Sequence, residues 1–240
     1  MAIGIGVDRL SALMNDQYAS YQGSQTGLSL LSQTELETFD VAIPKMLNRH
    51  YTNRVSGVIY STYAGSYLVG LMRAKKLLGD LMYNGNDGEA GILSKELCFN
   101  MFKDDSASPS QKSGWGLTET AAANTWEPMI GYSTSSPSTI TNDEFGSMVI
   151  SHVTNLADRA NITKMQYHIN GNPRTVQYVE PAFKLNENGT YMLDVPLIIV
   201  KNTKLFVEGL TEIAGLPVKI MQGGVAFATA NWFNSQTPSL

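Results

Sequence analysis

Residues 191–207 read YMLDVPLIIVKNTKLFV, and this stretch decides the fold. Two apolar runs rich in β-branched and aromatic residues, Tyr191–Val200 and Lys204–Val207, flank the polar tripeptide Lys201–Thr203. Short apolar runs separated by a polar turn are typical of consecutive β-strands. The stretch therefore predicts two strands in the C-terminal half of the chain.

The β pattern extends in both directions from this stretch. Upstream, Met165–Ile169 alternates, Asn170–Gly171 is a type I′ hairpin signal, and Thr175–Val179 predicts the returning strand. Downstream, Leu216–Ile220 and Val225–Phe233 predict at least two more strands. Turn signals about ten residues apart are typical of a β-sandwich or barrel.

Alternation along the C-terminal strands gives a predicted core, whose side chains should point inward. Its members are Val195, Leu197, Ile199, Leu205, Val207, Val218, Ile220, Val225 and Phe227.

An earlier segment, residues 55–71, fits two structures. Its larger apolar residues recur every four positions, which suits a helix, but they also share one face of a strand. Gly57, Gly65 and Gly70, together with the β-branched and aromatic bias, favour strands. The following stretch, Met72–Met82, predicts a helix that ends in the turn Asn84–Gly88.

A second helix is predicted to open at Thr141–Glu144. Two acidic residues stand in its first turn, and apolar residues then recur at spacings of three and four. His152 lies on that apolar stripe, so we expect a buried core histidine rather than a catalytic one. The stripe consists of Phe145, Met148, Val149, His152, Val153 and Leu156.

Composition excludes several classes of protein. The 240 residues carry a net charge of −4, and only 16% are charged, against roughly 25% in typical soluble domains. Neutral polar residues are abundant, with 21 Ser, 19 Thr, 17 Asn and 9 Gln. This balance argues against disorder, and against the clustered basic surface that nucleic-acid binding requires.

Motifs that carry chemistry are missing from the sequence. Histidine occurs only at His50, His152 and His168 without metal-ligand spacing, and Cys98 is a single cysteine between apolar neighbours. Gly4-Ile5-Gly6 does not continue as a dinucleotide fingerprint. We therefore predict no catalytic, cofactor-binding or metal-binding residue.

That prediction leaves open whether the turn Asn84–Glu89 binds a metal ion. Its oxygen-bearing side chains suit calcium, but the spacing fails that of an EF-hand, which favours an ordinary solvated turn.

Two further functions remain open from the residues themselves. Trp115, Trp126 and Tyr132 lie in a Ser/Thr/Gly-rich stretch, where they could stack on sugars, anchor a protein partner or pin the loop to its own domain. A carbohydrate-binding β-sandwich is therefore one alternative. An enzyme with a carboxylate site, assembled from separated acids, is the other. Its acids would be Asp104, Glu119 and Asp194.

The chain divides into an arm and a body. Residues 1–40 predict an N-terminal arm with short helices, one of which, over 8–19, carries Leu10, Leu13, Met14 and Tyr18 on one face. The arm has too few large apolar residues to fold alone, so we expect it to dock on the body or on neighbouring copies. Residues 41–240 predict a β-rich body with a long loop over 103–142.

Taken together, the sequence resembles viral capsid and other virion structural proteins of the jelly-roll type. The neutral Ser/Thr/Asn-rich composition, long loops, N-terminal arm and missing catalytic motifs carry this resemblance. It implies a mainly β, jelly-roll-like sandwich with a few helices, with an α+β capsid-type fold as the alternative.

The resemblance also implies a function. We expect a structural subunit, not an enzyme, that self-assembles into a virus capsid or a similar homo-oligomeric shell or filament, with no cofactor. Its partners would be copies of itself, with other virion proteins as further candidates and no sequence-specific nucleic-acid binding. Its location would be the virion, assembled in the host cytoplasm. Asp8 and Arg9 interrupt the N-terminus, so no secretion signal is predicted. No stretch approaches the roughly 18 apolar residues of a membrane span, so no transmembrane segment is predicted either.

Overall fold

The computed structural model describes residues 30–47, 53–97, 101, 116–117, 122–131, 135, 137–140, 142–185 and 189–235. Of these residues, about 40% lie in strands and 30% in helices. The predicted fold class is confirmed at this level, because the protein is mainly β and built on two antiparallel sheets.

The described residues form four helices and ten strands. The helices are α1 (Gln33–Leu47), α2 (Asn53–Leu77), α3 (Glu180–Leu185) and α4 (Ala230–Ser235). The strands are β1 (Ile92–Glu96), β2 (Gly116–Leu117), β3 (Trp126–Ile130), β4 (Ser138–Thr139), β5 (Phe145–Asn155), β6 (Ile162–Ile169), β7 (Asn172–Pro173), β8 (Thr190–Val200), β9 (Lys204–Thr211) and β10 (Val218–Thr229).

Strand pairing is nested along the chain. β1 pairs with β10, β3 with β9, β5 with β8, and β6 with β7, so each pair lies inside the one before it. The pairs β5–β10 and β6–β9 join them into two sheets. The first sheet has the order β1-β10-β5-β8 and the second β3-β9-β6-β7, while β2 adds to β10 and β4 to β9.

Three layers result from this arrangement. The inner faces of the two sheets share one apolar cluster, which includes Met148 and Ile150 from the first sheet and Met165 and Val207 from the second. The other face of the first sheet is covered by α1 and α2, in a second cluster that includes Phe227. The first sheet is therefore buried on both faces.

Helix α2 approaches the first sheet closely because small residues line the contact. A Cβ added at Gly70 would lie 2.5 Å from Val149, and one added at Gly146 would lie 2.5 Å from the Cβ of Ala74. Ser147 Oγ donates a hydrogen bond of 2.7 Å to the carbonyl of Gly70. These contacts explain glycine at Gly70, where it costs helix stability, and at Gly146 in β5, where a side chain would collide with α2.

The predicted helix after residue 141 is wrong, because Phe145–Asn155 is the strand β5. The first ten residues of β5 are all buried. A strand covered on both faces shows a nearly continuous apolar run, and such a run can mimic helical spacing. The prediction that His152 is a buried core residue is confirmed, since its side chain is fully buried.

The strands predicted over residues 55–71 are also wrong. This segment belongs to α2, which continues through the predicted helix to Leu77. Ile59, Tyr63, Tyr67 and Leu71 form its buried face against the sheet. The four-residue spacing was the correct signal, and the glycines mark close packing instead of a strand.

The C-terminal strand predictions are largely confirmed. β6, β8 and β9 occupy the predicted places, and Asn170 and Gly171 both have positive φ values, 53° and 80°, as a type I′ turn requires. The two strands predicted over 216–233 are one strand, β10, followed by α4. The segment Thr175–Val179 does not form a strand of the sheet. It bonds to β6 through an isolated bridge between Gln177 and Met165, and the Val179 N–H donates to the Thr163 carbonyl at 3.1 Å.

The predicted core is confirmed except in the middle of β8. Ile150 and His152 of β5 face Leu197 and Met192 of β8, so three additional β8 residues bulge out of register. Val195 lies in this bulge and is 71% exposed, not buried as predicted. Leu197 is half-buried.

The predicted division into arm and body stays a prediction. Residues 1–29 lie outside the described residues, and α1 crosses the boundary placed at residue 40. The short strands β2, β3 and β4 fall within the predicted loop 103–142.

Candidate functional site

A cavity of about 490 Å³ lies beside the edge strand β8. The β8 bulge forms one wall, and the β6–β7 turn with the following residues 174–177 forms another. Its charged lining residues are Arg73, Arg174 and Asp194. Asp194 is thus the one residue of the predicted carboxylate site that the structure describes, since Asp104 and Glu119 lie outside the described residues.

Several polar groups of the cavity wall are engaged by the protein itself. Tyr167 Oη donates to Gln222 Oε1 at 2.7 Å, and Gln177 Oε1 accepts from Tyr191 Oη at 2.9 Å. Asn170 Oδ1 accepts from the backbone N–H of Lys204 at 2.9 Å. These bonds hold the walls of the cavity together, so the polar groups that form them have a structural role.

The described histidines do not form a catalytic arrangement. His152 Nδ1 lies 2.9 Å from Ser151 Oγ, which lies 2.7 Å from Tyr67 Oη. All three side chains are fully buried, and the ring of His152 packs directly over Gly223. Burial lowers the pKa of His152 to about 3, so the imidazole is neutral and acts as a packing and hydrogen-bonding group.

His168 serves a different contact, on the second sheet. Its Nε2 lies 3.0 Å from Glu208 Oε1 on the neighbouring strand, and its ring packs against Phe206. His50 lies outside the described residues, as does Cys98.

The turn Asn84–Glu89 is held by contacts of its own. Asn84 Nδ2 donates to the carbonyl of Ala90 at 2.7 Å, and Asp87 Oδ2 accepts from Lys45 Nζ at 3.1 Å. The carbonyl of Gly85 accepts a hydrogen bond from the backbone N–H of Ser94 in β1, so the turn covers the outer edge of that strand. Within the described residues, no group of three or more His, Cys, Asp or Glu side chains is placed to hold a metal ion.

The aromatic residues proposed for sugar binding are not brought together by the described structure. Trp126 opens β3 and is 37% exposed. Trp115 and Tyr132 lie outside the described residues.

Exposed apolar side chains occur on both the helical layer and the sheets. Val41 of α1 is 67% exposed and Val58 of α2 is 48% exposed. Between Arg54 and Arg73, α2 has no charged residue, and Ser61 and Thr62 share its exposed side. The exposed side of α2 is therefore uncharged over this length, whereas the exposed side of α1 carries Glu37 and Lys45.

One cluster that the sequence analysis missed lies beneath α1. Glu35 Oε1 accepts from Lys75 Nζ at 2.5 Å and from the Tyr83 N–H at 2.9 Å, while Oε2 accepts from the Ser32 N–H at 2.8 Å. Burial tends to raise the pKa of Glu35, but Lys75 and the other donors outweigh it and hold the pKa below its usual value. Ser32 and Glu35 form a capping box, and the Ser-x-x-Glu spacing is the signal that could have revealed it.

Comparison with protein-family models, with curated proteins and with solved structures finds no match for the chain. None of the helices in the described part of the chain is long and apolar enough to span a bilayer.

Proposed function

We propose that the two sheets form a jelly roll and that the protein is a structural subunit which self-assembles into a homo-oligomeric shell, the capsid of a virus particle. The observation that carries the proposal is the nested strand pairing, β1–β10, β3–β9, β5–β8 and β6–β7. A long hairpin of eight strands, rolled up so that successive pairs alternate between two sheets, produces these pairs.

The order of strands in the two sheets supports the same proposal. Jelly rolls contain eight strands in two Greek keys, and viral capsid proteins are among the proteins that use them. Here the eight paired strands divide four and four, as β1-β10-β5-β8 and β3-β9-β6-β7. The architecture also occurs in lectins and cupins, so function has to be argued from the surface.

The surface favours packing of identical copies. A net charge of −4 opposes self-association only weakly, because strong repulsion requires a net charge far from zero. The helical layer adds the exposed side of α2, which is uncharged between Arg54 and Arg73 and carries Val58 at 48% exposure. An uncharged side of a helix offers no like-charge repulsion to a second copy of the chain.

The alternatives have less support. A carbohydrate-binding module would rest on Trp126, which is 37% exposed, together with two aromatic residues outside the described part of the chain. A carboxylate enzyme would rest on Asp194, which faces a cavity lined by Arg73 and Arg174. In both cases a single described residue carries the argument.

Sedimentation velocity and light scattering of the purified chain, over a range of concentrations, test the proposal. We expect a species of many copies whose interfaces each bury more than about 2,000 Å². A monodisperse 26.2 kDa monomer at high concentration would contradict it. Glycan binding by that monomer would favour the carbohydrate-binding function, and loss of a hydrolytic activity in Asp194→Asn would favour the enzyme.

A further inference from the structure

The cavity beside β8 has a charge balance that the proposed shell does not explain. Arg73 and Arg174 line it, and Asp194 is its third charged residue, so two positive charges stand against one negative charge. The described part of the chain holds four arginines, and two of them therefore line this one cavity. The net charge of the whole chain is −4, so the cavity is a positive place on an acidic protein.

Both arginines belong to backbone segments that the fold holds in place. Arg73 lies within α2, and both of its neighbours in the chain are buried. Arg174 follows β7, where its backbone N–H donates to the Tyr167 carbonyl at 2.7 Å and its carbonyl accepts from Gln166 Nε2 at 3.0 Å. Fixed backbone positions reduce the ordering cost that a ligand has to overcome when it binds.

The β8 bulge brings Asp194 to the same cavity. Tyr63 Oη holds the bulge by donating to the carbonyl of Leu193. Burial raises the pKa of Tyr191, and the nearby charge of Asp194 raises it further. Tyr191 Oη in turn donates to Gln177, which also lines the cavity. The charge of Asp194 therefore acts at the cavity wall, where its oxygens can accept hydrogen bonds from hydroxyl groups.

These residues define the chemistry of a fitting ligand. Guanidinium groups present N–H donors in a plane and bind carboxylate or phosphate oxygens two at a time. A volume of about 490 Å³ lies in the range of small-molecule sites, so the cavity has room for an organic skeleton beside the anionic group. A ligand with negative charge at every position would be repelled by Asp194.

We propose that this cavity binds a small polyhydroxylated molecule with one carboxylate or phosphate group, the class of sugar acids and sugar phosphates. Arg73 and Arg174 bind the anionic group, and Asp194 accepts a hydrogen bond from a hydroxyl group. Apolar lining residues, among them Ile169 and Leu197, contact the carbon skeleton. The proposal assigns no reaction to the cavity and does not depend on the proposed shell.

Isothermal titration calorimetry of the full chain with glucose 6-phosphate, gluconate and glucose tests the proposal. We expect at least one of the two anions to bind at one site per chain. Neutral glucose should bind at least about tenfold more weakly, because it lacks the charge-assisted hydrogen bonds. The tighter of the two anions shows whether the site prefers phosphate or carboxylate. Binding of neither anion, or equal binding of glucose, would overturn the proposal.

Variants of the lining residues assign the binding to this cavity. Arg73→Gln and Arg174→Gln should each weaken binding of the preferred anion by about tenfold or more. Arg159→Gln removes an exposed arginine outside the cavity and should leave the affinity unchanged. Asp194→Asn should strengthen binding of inorganic phosphate by at least about twofold, a gain that misfolding cannot produce. Native affinity in both cavity arginine variants, or weaker phosphate binding by Asp194→Asn, would overturn the proposal.

Discussion

Glu35 is a charged side chain that is only 2% exposed, so its effect on stability depends on its partners. Its two oxygens accept from Lys75, Ser32 and Tyr83, and thereby connect the start of α1, the end of α2 and the segment that leads to β1. Breaking a buried pair from one side is costly because the remaining charge is left without a counterion.

Glu35→Gln should therefore lower the free energy of unfolding by about 3–5 kcal/mol, because Lys75 loses its counterion and an amide NH₂ faces other donors. Urea denaturation at pH 7 measures this change. Glu37→Gln on the exposed side of the same helix is the matched control, and we expect it to stay within about 0.5 kcal/mol. Since the folded pKa of Glu35 is lowered, its contribution is present above the unfolded value of 4.5 and is lost as pH falls through the folded pKa. An equal cost for both variants would contradict this role.

His152 should also make the free energy of unfolding fall on acidification, at a higher pH than Glu35 does. Its pKa is about 3 in the folded protein and 6.5 when unfolded, so between these values the unfolded state binds more protons. The contribution is full above pH 6.5 and should decrease by about 1 kcal/mol between pH 6 and pH 5.

Unfolding free energies measured at pH 7, 6 and 5 test this expectation. His152→Gln removes the titrating ring, so between pH 6 and pH 5 its stability should fall by about 1 kcal/mol less than that of the native chain. Identical slopes for the two proteins would show that His152 is not buried in its neutral form.

Substitution by alanine should have opposite effects on stability at two glycines, Gly223 and Gly57. A Cβ at Gly223 would lie 2.0 Å from His152 Nε2, whereas one at Gly57 would meet no atom within 4 Å. Gly223→Ala should destabilise by about 1–3 kcal/mol. Gly57→Ala should stabilise α2 by about 0.5–1 kcal/mol. Thermal unfolding compares them, and a gain in stability for Gly223→Ala would contradict the contact with His152.

Among the elements, β5 and α2 show what local sequence can and cannot predict. Both carry apolar residues at helical spacing, but β5 is a strand because the sandwich core lies on one side of it and α2 on the other. That double burial is a tertiary property, which spacing along the chain does not encode. The C-terminal strands were predictable because their turns, such as Asn170–Gly171, mark their ends.

The bulge in β8 shows a second limit of sequence patterns. Alternation placed Val195 and Ile199 on the same inward face, but the three extra residues at the bulge break that phase. Pro196 and Asp194 within it are residues typical of protected sheet edges, and they were the local signal for such a break.

Ile199 and Val195 should therefore respond differently to truncation. Ile199 is 1% exposed, so Ile199→Ala should cost about 2–5 kcal/mol. Val195 is 71% exposed, so Val195→Ala should change stability by less than about 0.5 kcal/mol. Chemical denaturation of both variants is the measurement. A large loss of stability for Val195→Ala would contradict the bulge and support the inward position that alternation predicted for Val195.

Candidate site residues were less predictable than the fold. His152 was correctly predicted as a core residue from its apolar neighbours. The presence of Asp194 in one cavity with Arg73 and Arg174 depends on three segments that meet only in the folded chain. No spacing in the sequence relates them, so only the tertiary structure could bring them together.

At the scale of the whole molecule, a helical layer covers one sheet of a two-sheet sandwich, and the strands pair in nested order. This leaves the uncharged side of α2 and the second sheet as outward surfaces. A subunit of a shell has to pack laterally against identical neighbours, so such faces are where its contacts are expected.

Electron microscopy of purified, unfixed protein tests the proposed shell most directly. The proposed function predicts closed particles or regular filaments of uniform diameter, in which averaging resolves repeated copies of the two-sheet body. Fields that contain only dispersed 26.2 kDa particles, at concentrations where assembled subunits would predominate, would contradict it.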